Sequence, residues 1–388
     1  MTGALQIVAA VFSLLAVGGL AYQALAIVGA VRYLRSRRTV PTRFFPDISI
    51  LKPLKGFDPG MYEGFRSHCM QDYPGEYEIV FGVNDDGDEA IAAVEQLRKE
   101  FPDRAISLIA CPEVLGTNRK MSNLVKMAAQ AKYEYLVIND SDIRVPPNYL
   151  SKVAAPFADP NVGMVTALYR GVPGRGFWST MEAVTIATDF AGGVLSATVV
   201  EGGLKFAMGS TMAIAKPVLA KIGGLEPICD YLADDYELGN RTASAGYRVS
   251  LADAVVETHL PAYGFGEMFE HQLRWARTIR DKRHWGYMGV LFTFGLVWAA
   301  AAVAFSGGAW WAWVVLALSA GLRFTGAYLL CNDVLGDRIS LRNLWIVPLR
   351  DAVGVLVWIA CFAGNTVKWR GQEFRLRDGK LYRLEDKS

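Results

Sequence analysis

The sequence predicts an α/β protein in which a mixed, mainly parallel sheet is flanked at both ends of the chain by transmembrane or interfacial helices. Three observations support this fold class. Of the 388 residues, 52% are hydrophobic, and they concentrate in long uncharged runs near the two ends. Strand-like and helix-like segments alternate between those runs, which is typical of a parallel sheet covered by helices. Acidic residues follow two of the predicted strands, at the edge where open α/β sheets bind ligands.

The first uncharged run predicts a transmembrane helix over residues 1–31. It is long enough to cross a bilayer and longer than the apolar core of a signal peptide. The segment RYLRSRR that follows is basic, and basic clusters tend to remain on the cytosolic side, near anionic membrane lipids. We therefore expect an integral membrane protein whose next domain is cytosolic. The abundance of Ala and Gly favours a bacterial inner membrane.

Two further apolar segments lie near the other end of the chain. Residues 287–331 are predicted to form a transmembrane hairpin, because the tripeptide SGG interrupts their uncharged run. Arg323 in this hairpin is a costly intramembrane charge and is expected to face protein or the interface. Residues 344–367 either cross the membrane or re-enter it. A crossing would put the basic tail, residues 368–388, outside, so the re-entrant or interfacial alternative is favoured.

Residues 44–284 are expected to fold as the cytosolic domain and to end in basic, interfacial helices. The predicted strands of its first half are Ile48–Leu51, Tyr77–Val83, Ile106–Ala110 and Tyr135–Ile138. The predicted helices between them are Pro59–Gln71, Glu89–Phe101 and Met121–Ala131.

The tetrapeptide NDSD ends the fourth predicted strand and holds Asp140 and Asp142 one residue apart. It is either a polar turn or a metal site, because carboxylates at this spacing can both reach one hard divalent cation. In VNDDGD, after the second strand, Asp85 can accept hydrogen bonds from a base or ribose. The sequence has no G-x-G-x-x-G after its first strand and no Walker lysine motif. A diphosphate bound here would need a cation, and Mg²⁺ and Mn²⁺ both suit oxygen ligands.

Three later segments each allow a structural and a functional interpretation. In LADDYEL, Asp234 can be a plain helix N-cap, whereas Asp235 can be a general base. The basic segment EHQLRWARTIRDKRHW can be an amphipathic helix that binds headgroups. Alternatively, it supplies Arg274 to a leaving diphosphate and Trp275 to an acceptor pocket. Residues 177–200 form either a core helix or a membrane-dipping helix that shapes a lipid groove.

Cysteine spacing and charge argue against several other classes of protein. The five cysteines form no C-x-x-C pair and show no metal-ligand spacing, so reduced thiols are expected rather than disulfides or zinc. The net charge is only +2, and the basic residues concentrate beside the membrane segments. No segment resembles a nucleic-acid-binding module, so no nucleic acid partner is expected.

Together these segments resemble the ceramide glucosyltransferase family, membrane-bound inverting glycosyltransferases with a GT-A fold. The shared motifs, in chain order, are ILKPLKGFDP, VNDDGDEA, KMSNL, NDSDIRV, ADDYE, HQLRW and WRGQEFRL. The resemblance implies a GT-A nucleotide-sugar-binding domain, a UDP-sugar donor, a divalent metal and a lipid acceptor of the ceramide or hopanoid type. It leaves open which sugar is transferred, which lipid accepts it and which metal ion is used.

The resemblance also implies roles for individual residues. The implied nucleotide and metal residues are Asp85 at the uridine, Lys120 and Asn123 in the nucleotide site, and Asp140 and Asp142 at the metal. The implied catalytic residues are Asp235 as the base, Arg274 at the departing diphosphate, Trp275 and His271. His271 departs from the family, which commonly has Gln or Arg four positions before the tryptophan. We expect it either to bond a phosphate or the acceptor hydroxyl, or to be a structural interface histidine.

On this interpretation a lipid hydroxyl attacks the anomeric carbon in one inverting displacement, while Asp235 takes its proton and Arg274 and a metal ion stabilise the departing UDP. One alternative is a processive polysaccharide synthase, which shares the acidic motifs. The small number of predicted membrane helices argues against a polymer channel. The other alternative is a non-catalytic lipid-binding membrane protein on a transferase fold, and intact carboxylates at three acidic sites argue against that.

Overall fold

The computed structural model describes residues 3–37, 43–369 and 371–384. Met1, Thr2 and Arg38 lie outside the described residues, as do Arg370 and the last four positions of the predicted tail. The α-helices are α1 (Gly3–Ser36), α2 (Met61–Cys69), α3 (Ala90–Glu100), α4 (Arg119–Gln130), α5 (Tyr149–Ala154), α6 (Phe177–Thr185), α7 (Ala191–Val200), α8 (Lys216–Lys221), α9 (Asp234–Ser244), α10 (Phe265–Lys282), α11 (His284–Gly289), α12 (Gly295–Phe305), α13 (Trp310–Leu329), α14 (Arg338–Arg342) and α15 (Val347–Cys361). The strands are β1 (Ile48–Pro53), β2 (Tyr77–Val83), β3 (Ala105–Ala110), β4 (Tyr135–Ile138), β5 (Ile143–Arg144), β6 (Val162–Val172), β7 (Met212–Ala215), β8 (Arg248–His259), β9 (Thr366–Trp369), β10 (Gln372–Arg377) and β11 (Lys380–Arg383).

The main sheet has the strand order β3-β2-β1-β4-β7-β6-β8-β5 and is mixed, as predicted. Strands β1 to β4 are parallel to one another, and Ile50 in β1 pairs with Ile79 in β2 and Val137 in β4. Strand β7 runs antiparallel to both of its neighbours, β4 and β6. Because parallel strands end at the same edge, the acidic segments that follow β2 and β4 lie on one side of the sheet.

The predicted strands and helices of the first half are confirmed, with ends that differ by a few residues. The helix predicted from Pro59 begins at Met61, because Gly60 has a φ of 69° in the left-handed region and stays outside the helix. The helix predicted from Met121 begins earlier, at Arg119. There the Asn118 side chain accepts the backbone N–H of Met121, as an N-cap does.

Within the part of the chain that the structure describes, five helical segments are long and apolar enough to cross a membrane. They include α1 and the segments His284–Phe305 and Trp310–Val334. These two segments contain the helices of the predicted hairpin, α12 and α13, which both pack against α1. The predicted break in the hairpin is confirmed, since Gly307 and Gly308 have φ values of 66° and 78°. The protein is therefore a membrane protein by the length and composition of its helices.

The segment Phe177–Val200 lies between the main sheet and the membrane helices. In its apolar window 61% of the residues are buried inside the protein, more than in the other four apolar segments. A Cβ atom placed on Gly171 of β6 would lie 3.0 Å from Ala183, and one on Gly29 of α1 would lie 2.4 Å from the Leu195 carbonyl. The core-helix interpretation is therefore supported, and the same segment also contacts a membrane helix.

Arg323 faces protein, as expected, and belongs to a buried cluster of four charges. Its side chain is 2% exposed, and its guanidinium lies 2.8 Å from Asp351 and 3.0 Å from Asp189. Arg350 lies 2.5 Å from Asp189 and 3.3 Å from Asp351. The four charges sum to zero, and they join α13, α15 and the segment between α6 and α7.

The C-terminal segment forms a separate three-stranded antiparallel sheet in the order β11-β10-β9. Residues from 368 onwards were expected only as a basic tail. Thr366 and Val367 were expected in the membrane segment 344–367, but the helix of that segment ends at Cys361 and both residues belong to β9. Gly371 between the first two strands and Asp378-Gly379 between the last two have positive φ, as tight hairpin turns require. Apolar residues at alternate positions give this sheet one buried face.

Candidate active site

Lys120 links the carboxylates that end β4 and begin α9. Its Nζ lies 2.7 Å from Asp140 Oδ1 and 3.0 Å from Asp234 Oδ2. Burial alone would lower the pKa of Lys120, but the two carboxylates raise it above its ordinary value, so the ammonium group stays charged. Two residues that the sequence assigned to the nucleotide site, Lys120 and Asp140, are thus in direct contact.

Asp235 lies beside this pair, across the backbone of Gly209. Its Oδ2 accepts the Gly209 N–H at 2.8 Å, and its Oδ1 accepts the N–H of Tyr236 at 2.7 Å. A Cβ atom on Gly209 would lie 3.2 Å from Asp140 Oδ2, 3.4 Å from Asp235 Oδ2 and 3.8 Å from Lys120 Nζ. The acidic turn after β4 and the acidic start of α9 therefore converge on one glycine. Gly209 was not predicted as a site residue.

The environment of Asp235 suits a group that exchanges protons near neutral pH. Burial raises its pKa to about 6, the charge of Asp234 adds to this rise, and Lys120 opposes it. The first turn of α9 holds Asp234, Asp235 and Glu237, where the partial positive charge of a helix N-terminus stabilises carboxylates. A general base works best when its pKa lies close to the working pH.

Asp142 belongs to the same acidic turn as Asp140 but has a different partner. It accepts a hydrogen bond from the Thr258 hydroxyl at the end of β8. Burial, together with the negative charges of Asp140 and Asp58, raises the pKa of Asp142 to about 6, although the hydrogen bond from Thr258 opposes the rise. The turn therefore carries more negative charge than its neighbours neutralise.

This charge pattern fits a divalent cation with few protein ligands. In residues 3–37, 43–369 and 371–384, no group of three or more His, Cys, Asp or Glu side chains is arranged to hold a metal. Asp140 and Asp142 offer two hard oxygen donors. Mg²⁺ commonly binds one or two carboxylates and completes its shell with water and substrate phosphates. The donor set therefore fits Mg²⁺ or Mn²⁺ bound together with a diphosphate.

A buried lysine is hydrogen-bonded to the backbone of the acidic turn after β4. Lys52, at the end of β1, donates from Nζ to the Asp140 carbonyl oxygen at 2.9 Å. Burial lowers its pKa to about 7, against the opposing effect of Asp142 and Asp140. No role was predicted for Lys52 in ILKPLKGFDP, although a lysine inside an apolar strand indicates a buried partner.

Asp85 and Asn123 lie at the same sheet edge, on the far side of β1. Asp85 is exposed after β2, and its Oδ1 accepts the Gly87 N–H at 3.0 Å. Asn123 is buried on α4, and its side chain is hydrogen-bonded to that of Asn84. Two strand spacings, about 10 Å, separate the ends of β2 and β4. Through its hydrogen bonds with Asn84, Asn123 supports the loop that carries Asp85, while the Asp85 side chain faces solvent.

The segment HQLRW lies on α10 and is attached to a buried carboxylate on α6. Glu182 is 0% exposed, His271 Nδ1 lies 2.9 Å from its Oε1, and Gln272 Nε2 donates to its Oε2 at 2.6 Å. Of the two roles expected for His271, the structural one matches this contact. Gln and Arg, which the resemblance implies at this position, can also donate an N–H to a carboxylate. Glu182 was missed because a carboxylate in an apolar segment cannot be interpreted without its partners.

A row of aromatic rings extends from this segment towards the carboxylates of Asp140 and Asp235. Ring centroids lie 5.1 Å apart for His271 and Trp275, 5.6 Å for Trp275 and Phe190, and 4.9 Å for Phe190 and Tyr169. Burial raises the pKa of Tyr169 well above its ordinary value, and the nearby carboxylates of Asp235 and Glu182 add to the rise. The α10 segment thus lies beside the Asp140–Lys120–Asp235 group.

Replacing Glu182 by alanine is expected to slow the reaction of this site by up to about 100-fold, because small displacements of groups at an active site can cost that much. Glu182→Gln should lose less, since an amide oxygen still accepts one of the two hydrogen bonds. Initial rates of the purified variants measure this, with the unfolding temperature of each as a control for stability.

His271→Gln and His271→Leu form a matched pair for the same contact. The glutamine variant can donate to Glu182 and should keep most of the activity, whereas the leucine variant should behave like Glu182→Ala. Equal rates for the two His271 variants would argue against the contact as the function of this residue.

Comparisons with known proteins identify the family of the chain. The family model of glycosyl transferase family 21 matches residues 11–382. Ceramide glucosyltransferase 3 of Caenorhabditis elegans is 25% identical over 342 residues, which cover 86% of this chain and 73% of the relative. Ceramide glucosyltransferase 1 of the same organism is 26% identical over 248 residues, covering 62% of this chain and 53% of the relative.

Among solved structures, a mannosyltransferase from Pyrobaculum calidifontis in complex with GDP-Man and Mn²⁺ matches with a TM-score of 0.50. It is 20% identical, and the match covers 90% of this chain and 98% of that one. At this identity the similarity concerns the fold alone. The mixed, mostly parallel sheet and this similarity confirm the expected GT-A type of fold.

Proposed function

The chain belongs to glycosyl transferase family 21, and we propose that it transfers one sugar from a UDP-sugar to the hydroxyl group of a ceramide- or hopanoid-type lipid, with inversion at the anomeric carbon. The observation that carries this proposal is the convergence of Asp140, Lys120 and Asp235 on Gly209, at the carboxyl edge of the sheet. The ceramide glucosyltransferases among its relatives support a lipid acceptor.

The donor would bind along the edge that β2, β1 and β4 share. Asp85 would accept hydrogen bonds from the uridine, and Asn123 would hold the loop that carries Asp85. Lys120 is charged and its side chain is only 19% exposed and already held by two carboxylates, so it would attract the diphosphate without a large cost in side-chain ordering. Asp140 holds that ammonium group in place.

Asp142 and Asp140 would hold the metal ion, Mg²⁺ or Mn²⁺. When bound, the ion neutralises charge on the diphosphate and so favours departure of UDP. Arg274, on the helix beside the catalytic carboxylates, would stabilise the same leaving group. Trp275 packs against Phe190 and would form one wall of the acceptor pocket.

Asp235 would act as the general base. Its carboxylate would accept the proton of the lipid hydroxyl as that oxygen attacks the anomeric carbon from the face opposite to UDP. One displacement of this kind converts an α-linked donor into a β-glycoside. The hydrogen bonds from Gly209 and Tyr236 fix the orientation of the carboxylate while it takes the proton.

The experiment that tests the proposal incubates purified protein with a panel of labelled UDP-sugars and candidate lipids and identifies the product by mass spectrometry. A lipid carrying one sugar supports the proposal. A ladder of longer products would indicate a polysaccharide synthase instead. Absence of transfer with every donor and lipid would favour a non-catalytic lipid-binding protein.

The contacts of the C-terminal sheet also support a membrane topology in which the tail lies on the cytosolic side. This sheet packs against residues 230–232 of the catalytic domain, so both lie on the same side of the membrane. Helices α12 and α13 cross out and back, and Leu344–Cys361 would then re-enter the membrane or lie in its interface. The cluster Arg32, Arg35 and Arg37 favours the cytosol for this side.

A cysteine introduced at exposed Leu384 is therefore expected to react with a membrane-impermeant maleimide only in inside-out vesicles. Trp310→Cys, near the turn of the hairpin, should react only from the other side. The five native cysteines are buried and give little background. Labelling of both positions from one side would contradict this topology.

A further inference from the structure

The C-terminal sheet contains the motif WRGQEFRL, for which the proposed mechanism has no use. Its buried face is made of Val367, Phe374, Leu376 and Leu381, each at most 2% exposed. These side chains share one apolar cluster with Leu232, which lies two residues before Asp234 and three before the proposed base, Asp235. The sheet thus buries its apolar face on the segment that leads into the active site.

Backbone hydrogen bonds join the sheet to the same segment. Leu381 N–H donates to the Asp230 carbonyl at 2.8 Å, and Leu232 N–H donates to the Gly379 carbonyl at 3.1 Å. Tyr231 and Lys380 form an antiparallel bridge between these two bonds. Residues 230–232 have no strand of their own, so the sheet supplies their missing backbone partners.

The opposite side of this segment contacts the loop before α4. The Asn118 side chain donates to the Tyr231 carbonyl at 2.8 Å, and Thr117 N–H donates to Asp230 Oδ1 at 2.9 Å. That loop leads directly into Lys120. Residues 230–232 are therefore held between the nucleotide-site helix and the C-terminal sheet.

The sheet and the chain just before it are also tied to α10, the helix that carries His271, Arg274 and Trp275. Arg277 donates to the Thr366 carbonyl, and Arg280 donates to the Gly364 carbonyl at 3.0 Å. The Tyr231 ring lies under two ammonium groups, with Lys282 Nζ 4.1 Å and Lys380 Nζ 5.4 Å from its centroid. The C-terminal sheet thus contacts both residues 230–232, which precede Asp235, and helix α10.

Helix α9 has no N-cap side chain. Its N-cap residue is Ala233, which has no side-chain group to accept the free N–H groups of the first turn. The position of Asp234 and Asp235 therefore depends on the residues immediately before them, as well as on their contacts with Lys120 and Gly209. These residues are the ones that the C-terminal sheet holds.

We propose that the C-terminal sheet is a positioning element that sets Asp234 and Asp235 against Lys120 and the α10 segment, without touching substrate itself. This proposal rests on the proposed function for the role of Asp235. The sheet would act on the rate of transfer more than on donor affinity, because it contacts the segment before Asp235 directly and is linked to Lys120 through the loop before α4.

The test introduces a carboxylate into the buried face through Leu376→Asp in the full-length chain. Transfer is expected to slow by about 100-fold, the scale of a misplaced catalytic group, while affinity for UDP changes by less than about threefold. Tyr382→Asp, on the exposed side of the same sheet, is the matched control and should transfer at the rate of the unmodified protein. Equal rates for Leu376→Asp and the unmodified protein would overturn the proposal.

A second pair of substitutions keeps the test decisive if Leu376→Asp is poorly folded. Residues 231 and 380 form an antiparallel bridge, so cysteines at both positions can be oxidised to a disulfide. In the Leu376→Asp background the oxidised form should recover most of the transfer rate, and reduction should remove it again. No recovery in the oxidised form would overturn the proposal.

Hydrogen exchange tests the positioning role independently of the proposed function, because exchange rates can be measured whether or not the protein transfers sugar. The amides of residues 231–236 should exchange faster in Leu376→Asp than in Tyr382→Asp, with or without sugar transfer. Unchanged exchange in this segment would overturn the positioning role even if the enzyme is active. Faster exchange in a protein that transfers no sugar would leave the positioning role intact and remove the proposed function.

Discussion

Asp235→Asn is expected to reduce sugar transfer by about 10²–10⁴-fold, the range that a general base contributes, while UDP binding stays nearly unchanged. The asparagine oxygen can still accept the N–H of Gly209, so the local backbone should keep its position. The amide cannot take a proton from the acceptor hydroxyl. Transfer rates and UDP affinity of the purified variant measure the two effects separately.

Glu237→Gln serves as the matched control for this substitution. It removes one negative charge from the same helix, but its carboxylate pairs with Arg241 and Lys282 rather than with the site. Its transfer rate should stay within about threefold of the unmodified protein, as expected for a partly exposed ion pair. A collapse of UDP affinity in Asp235→Asn would show that this residue holds the donor and is not the base.

The same assignment predicts the pH dependence of the reaction. A base works in its ionised form, and burial raises the pKa of Asp235 to about 6, so kcat/KM should fall as the pH drops through about 6. Lys120 lowers this pKa, and Lys120→Met should therefore move the fall to higher pH. The shift distinguishes Asp235 from Asp142, whose pKa is also about 6 but is raised by Asp140 and Asp58. If kcat/KM of Lys120→Met falls at the same pH as in the unmodified protein, the titrating group is not Asp235.

Arg323→Leu is expected to destabilise the protein by about 3–5 kcal/mol, the usual cost of breaking a buried ion pair. The substitution leaves the carboxylates of Asp351 and Asp189 with Arg350 as their remaining partner in this cluster. Unfolding of the detergent-solubilised variants, followed by tryptophan fluorescence, measures the loss.

The double variant Arg323→Leu, Asp351→Leu is the control for this prediction. It removes one charge of each sign and keeps the pair of Arg350 with Asp189. Replacing a whole buried pair by apolar side chains is often neutral, so most of the stability should return. A double variant that is less stable than Arg323→Leu would contradict the interpretation that the two positive and two negative side chains of this cluster neutralise one another.

Much of the fold and part of the site could be predicted because they depend on local patterns. The strands Tyr77–Val83 and Tyr135–Ile138 have the predicted ends, and the parallel-sheet rule led to Asp85 and Asp140 at one edge. Contacts between distant segments could not be predicted. The carboxylate of Glu182 and its partner His271 are 89 residues apart, and Lys120 contacts Asp234 at a similar distance along the chain.

The C-terminal sheet shows the same limit for a whole element. Its strands are four to six residues long, and charged side chains alternate with the apolar ones, so the segment appears as a basic tail in the sequence. Its apolar face has meaning only when Leu232 is placed against it. Periodicity identifies a half-buried strand but not the surface that buries it.

The position of α1 has a consequence for handling the enzyme. Ala30 and Tyr33 of this helix belong to the same hydrophobic core as the strands of the main sheet, and the Tyr33 hydroxyl donates to the Ala252 carbonyl at 3.0 Å. The membrane helix α1 and the domain built on the main sheet therefore form one folding unit. Trimming the anchor to obtain a water-soluble fragment would therefore uncover the interior of the catalytic part, and purification has to retain the detergent or nanodisc.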